Sequence, residues 1–125
     1  MSKNVLILSG SPRKNGNSDI LCDEFARGAA EAGNNVEKIR VAEKNIGFCR
    51  ACYACRGTGV CTIKDDMAEV LQKMIDADVL VLASPVYFYS IDAQLRNHTR
   101  SINGNVQSPR RGDHRREYGS KGTYW

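Results

Sequence analysis

Hydrophobic residues up to Arg96 fall in runs whose spacing switches repeatedly between the strand and the helix period. Residues 4–9 contain the unbroken run Val5, Leu6, Ile7, Leu8, which predicts a buried parallel strand. Residues 18–32 place Leu21, Phe25, Ala29 and Ala32 on one stripe of a helix that Gly33 stops. A second strand is expected over 35–41, signalled by Val36, Ile39 and Val41. A loop rich in Cys and Gly spans 45–62, and a helix from about Asp65 to Ala77 turns Met67, Val70, Leu71, Met74 and Ile75 inward. Residues 79–83 read as a third strand, apolar throughout and hence buried on both faces. Residues 84–90 read as a loop, and Ile91 begins another helix.

Alternating strands and helices imply an α/β fold whose right-handed crossovers build a doubly wound parallel sheet. About three strands are present, in the expected order 2-1-3. The switch point between the first and third strands then collects ligands at the carboxyl ends of the strands. Three chemically distinctive loops converge on that rim.

The first is Gly10-Ser-Pro-Arg-Lys-Asn-Gly-Asn-Ser18, which joins the first strand to the first helix. Its glycines let the backbone turn, its Ser and Asn side chains offer hydrogen bonds, and the helix N-terminus attracts an anion. Arg13 and Lys14 add positive charge. The spacing is neither Walker A nor G-x-G-x-x-G, so a mononucleotide phosphate is the expected ligand. An ordinary polar strand-to-helix turn is the plain alternative.

The loop after the third strand, Ser84-Pro-Val-Tyr-Phe-Tyr-Ser90, offers flat surfaces and backbone amides to a planar ring such as a flavin. Its aromatics could equally cap the core. The loop after the second strand carries Cys49, Cys52, Cys55 and Cys61. Three cysteines at successive x2 steps and a fourth slightly further along suit the corners of a [4Fe-4S] cluster, while zinc or unligated thiols remain open alternatives. Arg50, Arg56 and Lys64 would favour thiolates. Cys22, on the first helix, reads as a small core residue.

Composition narrows the setting. With 125 residues, 42% hydrophobic and 26% charged, one small domain is expected. Nothing approaches a membrane span or a signal-peptide core, so a cytoplasmic location and no membrane partner are expected. Five cysteines there point to metal or redox chemistry before disulfides. Twelve basic and twelve acidic residues balance up to Arg96, whereas residues 97–125 hold six and two, so the net charge of +4 lies wholly in the tail. That tail has no apolar period and is expected to be disordered. Its Arg110, Arg111, Arg115, Arg116, Tyr118, Tyr124 and Trp125 leave nucleic-acid binding as a minor alternative, with nucleic acid not an expected partner.

Together, the 10–18 loop, the four-Cys run ending in Cys61-Thr-Ile-Lys-Asp-Asp-Met67, and the 84–90 loop followed by Gln94 and Leu95 resemble the flavodoxin-like NAD(P)H-dependent FMN reductases, in particular their iron-sulfur flavoprotein branch. The resemblance covers residues 1–96. It implies that Ser9, Ser11, Arg13, Gly16, Asn17 and Ser18 bind the FMN phosphate, and that Pro85, Val86, Tyr87 and Phe88 lie against the isoalloxazine. It implies a [4Fe-4S] cluster on the four loop cysteines, and electron transfer between NAD(P)H or ferredoxin, FMN and the cluster. The cofactors carry such chemistry, so no side-chain acid or base is nominated. A homo-oligomer is expected. A non-catalytic FMN-binding electron carrier, or an inactive fragment, is the alternative.

Relatives of this type continue after Gln94 and Leu95 with a full helix and two further strands. Residues 97–101 lack the apolar positions of that helix, and a truncation or reading-frame slip near Asn97 is expected. The third strand would then keep an open apolar edge, with weak FMN binding and aggregation as the consequence.

Overall fold

Val5, Leu6, Ile7 and Leu8 have no polar side to turn outward, and the strand they form, β1 (Asn4–Ser9), occupies the middle of a three-stranded parallel sheet. The computed structural model describes residues 1–98, so the basic tail lies outside the described residues. β2 (Asn35–Arg40) pairs with β1 from Asn4 opposite Asn35 to Ser9 opposite Arg40. On the other side β3 (Val79–Ala83) pairs from Val5 opposite Val79 to Ser9 opposite Ala83. The order is the expected 2-1-3 of a flavodoxin-like sheet.

Alternation along β1 divides the core in two. Leu6 and Leu8 join Ile39, Val41, Met67, Val70 and Leu95 on one face. Val5 and Ile7 meet Cys22 on the other, with Ala26, Val36, Val79 and Val81 around them. α3 (Met67–Asp76) and α4 (Ala93–His98) supply the first face, and α1 (Asn17–Glu31) covers the second. α1 ends where Gly33 adopts φ +84°, donating its N–H to the Ala30 carbonyl.

Several expectations are corrected. The buried stripe of α1 is Cys22 with Ala26, whereas Leu21 and Phe25 are 69% and 47% exposed. Small side chains let the helix approach a sheet face already filled by Val5 and Ile7, and the bulky residues stand one position further round. Cys22 is the core residue expected. β3 is not buried on both faces: Val79 and Val81 pack near Cys22 under α1, whereas Leu80 and Leu82, on the opposite face, are 39% and 54% exposed, and among the described residues no strand flanks its outer edge. β2 ends at Arg40, and Val41 opens a 3-10 turn (Val41–Glu43) while keeping its side chain in the core. Residues 84–90 are not a plain loop: β4 (Val86–Tyr87) and β5 (Ser90–Ile91) form a tight antiparallel hairpin. The following helix starts at Ala93, not Ile91.

The Cys-rich segment contains one short helix, α2 (Cys55–Thr58), and is closed at its base by two carboxylates. Asp66 accepts the Asn45 N–H at 2.7 Å, and Asp65 accepts the Gly47 N–H at 2.8 Å and the Met67 N–H at 3.1 Å. Among the described residues no helix is long and apolar enough to cross a membrane.

Candidate functional site

The carboxyl end of β1 delivers the 10–18 loop. Ser9 is fully buried, and its hydroxyl has no partner among the described residues. Ser11 is buried and accepts the Arg13 N–H at 3.3 Å, which tightens the loop. A Cβ on Gly16 would lie 3.3 Å from the Arg13 Cβ, a tight approach that a side chain could make only if the Arg13 turn gave by a few tenths of an ångström. The N-terminus of α1 carries no side-chain cap. Open amides in a first helical turn, an unpartnered hydroxyl beneath them and the exposed Arg13 and Lys14 make a cradle for an anion. Asn17 opens α1, one residue ahead of the expected start at Ser18.

Asp19, which the sequence reading passed over, lies buried in that same first turn. Its Oδ1 stands 2.5 Å from Lys38 Nζ and 3.7 Å from Arg40 Nε, while Oδ2 accepts the Asn15 N–H at 3.0 Å. The Lys38 ammonium, then the Asn15 amide, holds the Asp19 carboxyl below the usual carboxylate range against the opposing effect of burial. For Lys38, burial works against the charge, but Asp19 and Asp23 outweigh it and raise its pKa. A signal was present: Val36, Lys38 and Arg40 share the β2 face that a helix was expected to cover.

The hairpin extends the same rim. Phe88 and Tyr89 form its two-residue turn at φ +48° and +61°, a conformation that suits Asn and Gly and strains bulky side chains. Both are fully exposed, and Val86 and Tyr87 are exposed too, so these aromatics do not cap the core. Pro85 is half-buried at the base. The Asp92 N–H donates to Ser84 Oγ at 2.9 Å and closes the hairpin.

The two loops meet at Gly10. Its N–H donates to the Ala83 carbonyl at 2.7 Å, and a Cβ there would fall 2.6 Å from Asp92 Oδ1. Asp92 is buried, and Oδ1 also accepts the Leu95 N–H at 3.0 Å, capping α4. This contact was not read from the sequence, because it joins residues far apart along the chain. The structure thus brings Ser9, Ser11, Arg13, Gly16, Asn17 and Ser18 to the rim that also bears Pro85, Val86, Tyr87 and Phe88. A cavity of about 300 Å³ lies elsewhere, at the opposite rim, lined by Asn4, Asn35, Glu37 and Lys73 among others.

Cys49 and Cys52 are exposed, and Cys55 and Cys61 are partly so. Cys49 Sγ accepts the Ala51 N–H at 3.4 Å, and the Ala54 N–H holds the Cys52 thiol pKa below its usual value, aided by Thr62 at 3.6 Å. Arg50 contributes least to that shift, so backbone amides outrank the neighbouring cations. Ala51 and Tyr53 take positive φ, at +53° and +59°, as the backbone curls around these sulfurs. In kind, four thiols with amides aimed at sulfur fit a thiolate-ligated group. Among the described residues, however, no three potential ligands stand together as a metal site.

A 2-1-3 parallel sheet with an anion-cradling loop at its carboxyl rim defines a flavodoxin-like protein. The chain belongs to the NADPH-dependent FMN reductase family, whose profile matches residues 3–99. It is 44% identical over 92 residues to an iron-sulfur flavoprotein of Methanocaldococcus jannaschii, covering 74% of this chain and 48% of that protein. An iron-sulfur flavoprotein of Archaeoglobus fulgidus is 37% identical over 87 residues, covering 70% and 40%. The chain therefore spans less than half the length of these two relatives. An NAD(P)H:quinone oxidoreductase from Methanothermobacter marburgensis shares the fold with a TM-score of 0.70 at 20% identity, over 85% of this chain and 56% of that one.

Proposed function

We propose that this chain is the FMN-holding part of a flavin oxidoreductase that moves electrons between NAD(P)H or reduced ferredoxin, FMN and a [4Fe-4S] cluster. The observation that carries the reading is the meeting of the anion cradle and the exposed aromatic hairpin at Gly10 and Asp92. Ser9, Ser11, Asn17 and Ser18, with the amides around Gly16, take the phosphate, and Arg13 supplies its countercharge. Pro85, Val86, Tyr87 and Phe88 lie against the ring and shield one face from water. Cys49, Cys52, Cys55 and Cys61 hold the cluster as thiolates. When bound, the flavin supplies hydride acceptance and one-electron transfer, which the protein steers by orientation and electrostatics.

The test is anaerobic NAD(P)H oxidation with FMN and iron-sulfide reconstitution. Flavin and cluster absorbance with turnover is the expected result; no retained flavin contradicts the reading. A second reading, FMN binding without turnover, is favoured by the outer edge of β3, which no strand flanks among the described residues. Retained flavin with no NAD(P)H oxidation selects it. Assembly of several copies in the cytoplasm completes the proposal.

A further inference from the structure

Asp19 links the phosphate loop to the far strand of the sheet. A carboxylate only 5% exposed is costly unless it is paired and hydrogen-bonded. Here Lys38 and Arg40 approach one oxygen, and the other accepts the N–H of Asn15. Asn15 sits at φ +57°, a left-handed conformation that asparagine tolerates better than most residues, and its amide is directed inward. Arg40 also donates to the Ser11 carbonyl at 3.5 Å and pairs with Glu43 at 2.6 Å, and Glu43 stands 3.6 Å from Lys14. The loop is thus touched at residue 11 by Arg40 of β2, at residue 14 by Glu43 just beyond that strand, and at residue 15 by Asp19 of α1, which the two β2 cations approach in turn.

We infer that Asp19 is a positioning residue for phosphate recognition: it fixes the 11–16 backbone through the Asn15 amide and is itself fixed by Lys38 and Arg40. This rests on the proposal that the 10–18 loop takes the FMN phosphate. A carboxylate serving only the helix dipole needs neither the Asn15 amide nor two cations from another strand. Lys38 and Arg40 are held by Asp19, with Asp23 also on Lys38 at 2.6 Å, which leaves Arg13 as the loop's exposed countercharge.

Fluorescence titration of FMN and of riboflavin, which lacks the phosphate, separates this role from a general structural one. Wild type is expected to bind FMN at least about tenfold tighter than riboflavin. Asp19→Ala should weaken FMN by about tenfold while riboflavin stays within about twofold, because only the phosphate cradle loosens. Asp19→Asn retains an acceptor for the Asn15 amide and should stay within about threefold of wild type for FMN. Lys38→Met, which leaves the Asn15 bond but frees the carboxylate, covers the case in which Asp19→Ala does not fold, and should weaken FMN by about threefold or more with riboflavin unchanged. An unaltered FMN-to-riboflavin ratio in Asp19→Ala, or equal losses for both ligands, overturns the inference. If Asp19→Ala does not fold, the same outcomes in Lys38→Met overturn it. A loss in Asp19→Asn as large as in Asp19→Ala also overturns it. A wild type that binds both ligands equally overturns the phosphate-loop proposal itself, and the inference with it.

Discussion

A buried carboxylate in a helix's first turn is stable as an ion only while its partners remain charged, which gives Asp19 a defined pH window. Its pKa lies below the ordinary 3.8, so its stabilisation is complete above that value and is lost as pH falls through the lowered pKa. The raised pKa of Lys38 works in the other direction: its contribution is complete below 10.5 and is lost as pH rises past the raised value. The difference in melting temperature between wild type and Asp19→Asn is therefore expected to be constant from about pH 5 to about pH 9 and to narrow only outside that window, in stronger acid and in base past the raised Lys38 pKa. Melts across pH check this, and a difference that closes between about pH 5 and pH 7 contradicts it. Ser11, Arg13, Gly16 and Asn17 could be singled out in the sequence as candidates because the spacing of such a loop is local. Asp19 was not, since its meaning depends on Lys38 and Arg40 arriving from another strand.

At the scale of elements, the two loops form one rim because Gly10 leaves room for Asp92. Gly10→Ala places a methyl group 2.6 Å from a carboxylate oxygen that is itself committed to capping α4. It should destabilise the protein by about 1–3 kcal/mol and weaken flavin binding. Gly10→Ala combined with Asp92→Ser should recover much of the loss, because serine keeps a capping hydroxyl and removes the clash. Thermal melts and flavin titration read both effects; a double variant no better than Gly10→Ala alone contradicts the contact. Strands and helices were legible where the apolar period was unbroken, as in β3, whose bounds match the expectation. The hairpin was not, because Phe88 and Tyr89 are residues that a two-residue turn with positive φ ordinarily excludes. Holding them there has a cost in backbone strain.

For the molecule as a whole, the sheet order and the convergence of loops followed from the alternation of periods, while the packing did not. Leu21 and Phe25 on α1 and Leu82 on β3 look like core residues in sequence yet stand exposed, because periodicity marks an apolar face without saying what covers it. The outer edge of β3, which no strand flanks among the described residues, adjoins that surface. The four cysteines stand out in the sequence as a candidate ligand set, but among the described residues they do not come together as one, on a long loop with little regular structure. What the fold does establish is a single carboxyl rim shared by the 10–18 loop and the aromatic hairpin. Hydrogen–deuterium exchange of the chain with and without FMN addresses that arrangement most directly. FMN should protect residues 10–18 and 84–92 together, and riboflavin only the second segment; protection of one segment alone by FMN, or protection confined to the opposite rim around Asn35 and Lys73, would contradict a flavin held in one groove.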